Sequence, residues 1–493
     1  MSDPRLASLA HEIADLRRSI ETDAAETAGR WRGWIEDRAF QPSAENLAQY
    51  LALRHHDLRT LQRRMMATGL SSLGRAESRV MPTLMAVSRL LAAATGGGAP
   101  DTDPASDADF FAGEARIAAR ADALLGGLSD HSAVRLMVTL PTQAADEPRF
   151  LKRLAGLGVE AVRINCAHDD ETVWARMIDQ LDRAAKDTGR RMKVMMDLPG
   201  PKIRTGDSRD RKGLERVFSG NDLAITRPGR LDRAPQKMPA IECTLAEALA
   251  AVEPGHRVYV DDGKLETVVR EVEDWGVVVQ VTAGPEAKGY KLKPEKGVNF
   301  PDTEVRLPAL TGEDRKLLRF VARHADGIEY SFVQDAEDVA QLQQALAAER
   351  PDDWQRIGLV LKIETQRAVR NLPDILVRAA GRQPTAVMIA RGDLAVEIGF
   401  ARLAEMQEEI LWLCEAAQVP VIWATQVLES FLKTGVSSRG EMTDAAMAAR
   451  AECVMLNKGP FLFEGIELLD RLLDRMSGHI SKKTHRLRPL RSW

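Results

Sequence analysis

Leu359-Val-Leu-Lys362-Ile-Glu364 and, one strand–helix unit later, Val387-Met-Ile-Ala-Arg391-Gly392-Asp393 are the two stretches that decide the fold. Each is an unbroken apolar run that stops on charged groups. A strand buried on both faces reads this way, because neither face meets water and the alternation of polar and apolar residues is lost. The same pattern recurs along the chain, and the expected strands cover residues 136–140, 161–165, 193–198, 327–332, 358–364, 386–393, 419–425 and 453–457. Amphipathic helical spacing fills most of the intervals, for instance 335–349, 403–417 and 462–476. Strand alternating with helix through right-handed crossovers gives a parallel sheet. Repetition on this scale favours an α/β fold closed as a TIM (β/α)8 barrel, at whose mouth the polar groups of the C-terminal strand ends converge.

The rhythm breaks between Arg204 and Asn299. Short β-like runs take over, including Asp222-Leu-Ala-Ile-Thr, Arg257-Val-Tyr-Val-Asp and Val277-Val-Val-Gln-Val-Thr, separated by turns bearing Gly and Pro. Residues 206–299 therefore read as an inserted small β-barrel domain over the third strand–helix loop, and 131–205 with 300–485 as the barrel. Residues 1–95 read as an all-α region, with Leu9, Ile13, Leu16 and Ile20 at helical spacing. A second helical segment around 51–61 is basic and amphipathic. Residues 96–130 read as a linker, Gly- and Pro-rich at its start, followed by a short helix over 110–125.

Composition narrows the class. A chain of 493 residues with 44% apolar and 28% charged residues is an ordinary globular protein of several domains. A formal net charge of −4 gives no pull toward nucleic acid or an anionic membrane. Cys166, Cys243, Cys414 and Cys453 are widely spaced, which suggests reduced thiols rather than a zinc site or disulfide framework. With no membrane-length apolar stretch and no secretory pattern, cytoplasm is the expected location.

The chemistry is carried by charges at the ends of the expected strands. Glu364 and Asp393 end neighbouring strands, and two carboxylates suit Mg²⁺ or Mn²⁺, hard ions that keep water and substrate oxygens as further ligands. Lys362 precedes Glu364 by two residues, so both point to one side of the strand. An unpaired ammonium in an apolar strand would cost several kcal/mol to bury. A structural ion pair would explain it; so would an ammonium placed to neutralise a transferring phosphoryl group. Arg163 and Asn165 repeat the period-two pairing on the second strand, where a guanidinium suits phosphate or carboxylate oxygens. The Leu198-Pro-Gly-Pro201 turn is expected to hold Lys202 and Arg204 near Asp197. Thr425 puts a hydroxyl at the mouth. His168 alone reads as an ordinary loop histidine.

Taken together, Arg163-Ile-Asn-Cys-Ala-His168, Asp197-Leu-Pro-Gly-Pro-Lys-Ile-Arg-Thr-Gly206, Val260-Asp-Asp-Gly263, Lys296-Gly-Val-Asn299, Ser331-Phe-Val333, Lys362-Ile-Glu364, Ala390-Arg-Gly-Asp-Leu394 and Ala424-Thr-Gln-Val-Leu-Glu-Ser430 resemble pyruvate kinase. Order and spacing follow that family from about Val134 to Gly459. The resemblance implies phosphoryl transfer from phosphoenolpyruvate to ADP, giving pyruvate and ATP, with Mg²⁺ (or Mn²⁺) on Glu364 and Asp393. Lys362 and Arg163 would stabilise the phosphoryl group, and the Ala390-Arg391-Gly392 turn would offer N–H donors to the substrate carboxylate. Thr425 would face the enolate, and His168, Arg204 and Lys296 would approach the nucleotide. The inserted domain would close as a lid. No nucleic acid or membrane partner is implied, and a homo-oligomer is compatible with the family.

The sequence departs from the family in three places. Potassium-dependent members pair Asn with Ser and carry Glu in the Gly-Pro-x-Ile-Arg turn; around Asn165 and Asp197 this chain has Ala167 and Lys202 instead. An ammonium can stand in for K⁺, so potassium-independent chemistry is expected. The strand-eight loop, Ser-Gly-Glu-Thr-Ala in the family, is Asn457-Lys-Gly-Pro460 here. That change is the main support for an alternative metal-enolate reaction on an α-keto acid. Finally, the family's C-terminal allosteric domain is expected to be absent, since Trp493 follows soon after the last barrel helix. A ligand-sensing regulatory protein of weak catalytic power is a further alternative, with the basic 54–64 segment as a partner surface or merely a solvated helix face.

Overall fold

The computed structural model describes residues 3–97, 105–129, 133–209 and 215–486. The breaker-rich centre of the expected linker, 98–104, and the terminal Trp493 lie outside the described residues. Eight parallel strands close into a barrel. They are β1 (Arg135–Thr139), β2 (Ala161–Asn165), β3 (Lys193–Leu198) and β4 (Gly327–Tyr330). The ring continues with β5 (Gly358–Ile363), β6 (Thr385–Ala390), β7 (Val421–Ala424) and β8 (Cys453–Leu456). Pairing of Arg135 with Cys453 joins the first strand to the last. Among the described residues no helix is long and apolar enough to cross a membrane. All four cysteines are buried and free.

The strand ends differ from the sequence expectation in one place that matters. The run expected as a strand over 386–393 stops at Ala390, and Arg391, Gly392 and Asp393 open the helix Arg391–Ile398. Three bonds to the end of the next strand and the residue after it turn the chain there. The buried Arg391 guanidinium donates to the carbonyls of Ala424 and Thr425 at 2.9 and 2.5 Å, and the Gly392 N–H donates to Thr425 Oγ1 at 2.9 Å. Asp393 then sits in the first helical turn, where the positive end of the helix dipole favours a carboxylate. The expected strands at 327–332 and 419–425 likewise stop at Tyr330 and Ala424, because Phe332 and Thr425 take positive φ.

The barrel interior is layered. Near the floor it is apolar and rich in sulfur, with Met137, Met195, Val360, Met388, Ile422, Cys453 and Met455 meeting Leu124 of the helix Ala112–Leu125. Gly358 makes that plug possible, since a Cβ there would lie 2.0 Å from Leu124 Cδ1. Above this layer the inward side chains become charged, and these form the site described below.

The inserted domain is a seven-stranded sheet running from Thr205–Ser208 to Val298–Asn299, with its own core around Leu223, Val258, Val260 and Val279. A bridge between Arg204 and Gly297 brings its two edges together where it leaves and rejoins the barrel. The N-terminal helices include Pro4–Trp31, Gln41–Arg54, Arg59–Ala67 and Val80–Thr95. The basic stretch expected as one helix around 51–61 is thus two, broken at His55–Leu58, where Asp57 accepts the Arg59 N–H at 3.2 Å. Leu9, Ile13, Trp31 and Leu47 share one apolar core with the barrel's outer helices. Polar bonds pin the contact: Trp31 Nε1 donates to Asp374 at 2.7 Å, and Ser43 Oγ to Gln418 at 2.7 Å.

Candidate active site

Period-two alternation on adjacent strands aims Arg163 of β2, Asp197 of β3, Glu329 of β4 and Lys362 of β5 into the upper barrel, where they form one network. Arg163 donates to Glu329 at 3.0 Å and to Thr139 Oγ1 at 3.1 Å, and it pairs with Asp197 through its third nitrogen. The Lys362 ammonium donates to Asp197 Oδ1 at 3.0 Å and to Ser331 Oγ at 2.7 Å, and lies 3.3 Å from Glu364 Oε1. Glu364 also accepts the Phe332 N–H at 2.6 Å. Lys362 is only 9% exposed. Two protein oxygens accept from it and a third, a carboxylate oxygen, lies within ion-pair distance, which is the condition for keeping a buried ammonium charged.

The electrostatics follow from burial and from these neighbours. Burial works against the Lys362 charge, but Asp197 and Glu364 outweigh it and raise its pKa. Burial also opposes the Asp197 carboxylate, yet Lys362 and Arg163 hold its pKa below the usual range. Glu329 goes the other way: burial pushes it up to about 7 despite Arg163, and Asp197 reinforces the shift. Its Oε1 has no hydrogen-bond partner. Glu364 is raised by burial, opposed by Lys362 and reinforced by the charge of Asp393. The carboxylates of Glu364 and Asp393 therefore feel each other across the mouth.

Lys202, expected beside Asp197, pairs instead with Asp393, its Nζ 3.0 Å from Oδ1. Asp197 already receives Lys362, Ser331 and Arg163, and the Pro199-Gly200-Pro201 turn carries Lys202 outward over the barrel rim. Gly200 is required in that turn: its φ is +67°, and a Cβ would lie 2.9 Å from that of Ser331. Arg204 donates to the Glu295 carbonyl at 3.1 Å rather than approaching Asp197. Lys296 lies 3.6 Å from Asp261, so both expected nucleotide contacts sit at the base of the inserted domain. Asn165 spends its carbonyl oxygen on the Ala167 N–H at 3.0 Å.

Non-glycine residues at the mouth hold left-handed backbone: Phe332 at φ +55°, and Thr425 at φ +63° with its neighbour Gln426 at φ +57°. For a β-branched residue this is a genuine outlier, costing on the order of 1–3 kcal/mol. Phe332 is tied to the site through Glu364, and Thr425 through Gly392. Arg391 places its backbone at the mouth while its guanidinium pairs with Asp444 and stacks over Trp423 at 4.7 Å.

Two clefts open from this network. One, of about 240 Å³, lies between Lys202, the return from the inserted domain at Val298–Leu307, Arg367 and Asp393. The other, of about 250 Å³, is lined by Arg163, Asn165, His168, Lys433, Asn457 and Lys458 among others. Reading the sequence missed Glu329 as a network member and Thr139 as the hydroxyl under Arg163. Glu329 carried a usable signal, an acid inside the apolar run Gly327-Ile-Glu-Tyr, in register with Asp197.

Comparison with known proteins agrees with the geometry. Residues 133–460 match the family description "Pyruvate kinase, barrel domain". The chain is similar to a pyruvate kinase from Methylorubrum extorquens, 31% identical over 345 residues, covering 68% of this chain and 66% of that protein. It is also similar to one from Agrobacterium vitis, 32% identical and covering 68% of each chain. A third is pyruvate kinase 1 of Trypanosoma brucei brucei, 32% identical over 70% of this chain and 67% of the relative. The match thus spans about two thirds of these relatives' length. On the closed barrel, the inserted sheet and these matches, the chain belongs to the pyruvate kinase family.

Proposed function

We propose that this chain transfers the phosphoryl group of phosphoenolpyruvate to ADP, giving pyruvate and ATP, in a reaction that needs Mg²⁺ or Mn²⁺ and does not need potassium. The observation that carries the reading is the Lys362 ammonium, held at the mouth by Asp197, Ser331 and Glu364. Phosphoryl transfer asks little covalent work of a protein and depends on positioned positive charge. Lys362 and Arg163 supply that charge on rigid strands, with their directions fixed by neighbours.

Charge balance supports a divalent ion. Lys362, Arg163 and Lys202 are matched by Asp197, Glu364 and Asp393, so an incoming phosphate and carboxylate would be uncompensated. Among the described residues no cluster of three or more His, Cys, Asp or Glu side chains forms a metal cage. Two carboxylates, Glu364 and Asp393, fit an ion that takes its remaining ligands from substrate and water. Bound there, Mg²⁺ would neutralise charge on substrate oxygens. Asp197 is saturated by two protein cations, and Lys202 already brings an ammonium to Asp393, which supports independence from K⁺.

In this reading Arg163 and Lys362 grip the phosphoryl oxygens as the bond to the enol oxygen breaks and the ADP β-phosphate oxygen takes the phosphorus. The Thr425 hydroxyl, locked against Gly392, faces the enolate carbon that gains a proton. His168, in the second cleft, and Arg204 and Lys296, at the base of the inserted domain, flank the nucleotide's approach. The inserted domain closes over the mouth and keeps water from the phosphoryl group.

A coupled assay with phosphoenolpyruvate, ADP and Mg²⁺ tests this directly. ATP formation that chelation abolishes and Mg²⁺ restores is the expected result. Proton exchange into pyruvate without ATP would point to another metal-enolate reaction, and metal-dependent binding without turnover to a sensor.

A further inference from the structure

Glu329 is a fully buried acid in the middle of β4, in register with Asp197 on β3 and Val360 on β5. Its Oε2 accepts Arg163 Nε at 3.0 Å, while its Oε1 meets no donor among the described residues. Arg163 gives its other two nitrogens to Thr139 and Asp197. A guanidinium carries five N–H groups in one plane. Three are spent here, and Glu329 holds the one on Nε, the edge nearest the side-chain stem. The two that remain lie on the terminal nitrogens, so an anion meets the far end of Arg163 rather than its Nε edge.

The charges around Glu329 do not balance. Three acids, Asp197, Glu329 and Glu364, share two cations, Arg163 and Lys362, and Asp197 pairs with both. Glu364 has Lys362 and the Phe332 N–H, which leaves Glu329 with a share of Arg163 alone. The charged and titratable groups around it are Arg163 from β2, Asp197 from β3, Lys362 from β5 and the thiols of Cys166 and Cys453, which burial keeps neutral. A buried acid so thinly paired favours its neutral form. Burial pushes Glu329 up to about 7, with Arg163 and Lys362 opposing and Asp197 adding to the shift.

We propose that Glu329 is the positioning residue that aims Arg163 at the phosphoryl group, and that it takes up a proton from solvent when that group binds. This rests on the phosphoryl-transfer reading of the mouth. Ionised, Glu329 and Asp197 together outweigh the Arg163 charge and leave negative charge beneath an anion's seat. Protonated, Glu329 still accepts the Nε–H through its carbonyl oxygen, and the guanidinium keeps its charge for the phosphoryl oxygens. The two anions repel each other, so binding of one favours neutralisation of the other. The proton returns to solvent when the phosphoryl group leaves. Affinity for the phosphoryl group is therefore full below about pH 7 and falls as pH rises above it.

The test is calorimetric titration of the full chain with phosphoenolpyruvate and Mg²⁺, without ADP, at pH 8 in two buffers of different ionisation enthalpy. The unaltered chain should take up about one proton per site. Glu329→Gln, which keeps an oxygen for Arg163 Nε, should take up none. Between pH 6.5 and 8.5 the affinity of the unaltered chain should fall by about tenfold, and that of Glu329→Gln by less than about twofold. The infrared difference spectrum of the unaltered chain should gain a protonated-carboxyl band on binding, a readout that needs no variant. Glu329→Leu cannot hold Nε and should have a kcat at least about tenfold below that of Glu329→Gln. Equal proton uptake by the unaltered chain and Glu329→Gln, no carboxyl band, or equal kcat for Glu329→Gln and Glu329→Leu overturns the inference and leaves the phosphoryl-transfer reading standing. Failure of phosphoenolpyruvate to bind the unaltered chain at any pH overturns both.

Discussion

Lys202 Nζ lies 3.0 Å from Asp393 Oδ1, an ion pair that ties the turn after β3 to the helix that opens after β6. It brings a protein cation onto one of the two carboxylates proposed to hold the metal. Both partners are partly exposed, so the pair contributes modestly to stability. Its interest is chemical: it supplies positive charge where a monovalent ion would otherwise be recruited.

Turnover should therefore be unchanged when K⁺ is replaced by tetramethylammonium. Lys202→Glu should create a potassium requirement and cost about 100-fold in activity without K⁺. Initial rates in the two salts, for both proteins, check this. A strict K⁺ requirement in the unaltered chain would sink the idea.

Lys362→Met removes the ammonium that Asp197, Ser331 and Glu364 surround. Activity should fall at least about 1000-fold. Stability should fall too, by roughly 3–5 kcal/mol, because two acids are left buried without their cation. Denaturant unfolding separates this from catalysis: a variant that loses activity but no stability would show that the network does not carry the charge inferred for it.

Glu415 should give the chain a recognisable pH dependence. Its folded pKa of about 7 lies above the ordinary carboxyl value of 4.5, the result of burial with Glu77, Glu452 and Glu114 adding to it. A raised acid holds its proton longer folded than unfolded, so its contribution is fully present below about pH 4.5 and is lost as pH rises through about 7. Glu415→Gln should accordingly be more stable than the unaltered chain at pH 8, by on the order of 2 kcal/mol, with little difference at pH 5. Thermal midpoints across that range decide it, and an equal shift at both ends would refute the linkage.

Trp31 ties the N-terminal helices to the barrel, buried in the common core with its indole N–H on Asp374. Trp31→Ala should cost about 3–5 kcal/mol. Far-ultraviolet circular dichroism and tryptophan fluorescence should still melt together, since helices and barrel share one core. An early, separate helical transition would show the N-terminal region to be an independent lobe.

Much of the fold was legible because buried parallel strands leave unmistakable apolar runs. The run ending in Lys362 and Glu364 was read directly, since a lysine in such a run needs a local reason. Strand ends were harder. Nothing local forbids a strand through Arg391-Gly392-Asp393; the helix forms because Arg391 and Gly392 find partners at the end of β7 and in Thr425 just after it, more than thirty residues away. The same holds for Lys202, whose choice of Asp393 over Asp197 depends on which acids other strands have already neutralised.

The sequence alone determined the closed barrel, its insertion and the identity of the charges at its mouth, because periodicity and strand-end chemistry are local properties. Only the tertiary structure decided which charge meets which, how far each is buried, and that the N-terminal helices share one core with the barrel's outer helices. Those outcomes rest on contacts between residues far apart in the chain, where desolvation and pairing are settled jointly rather than residue by residue.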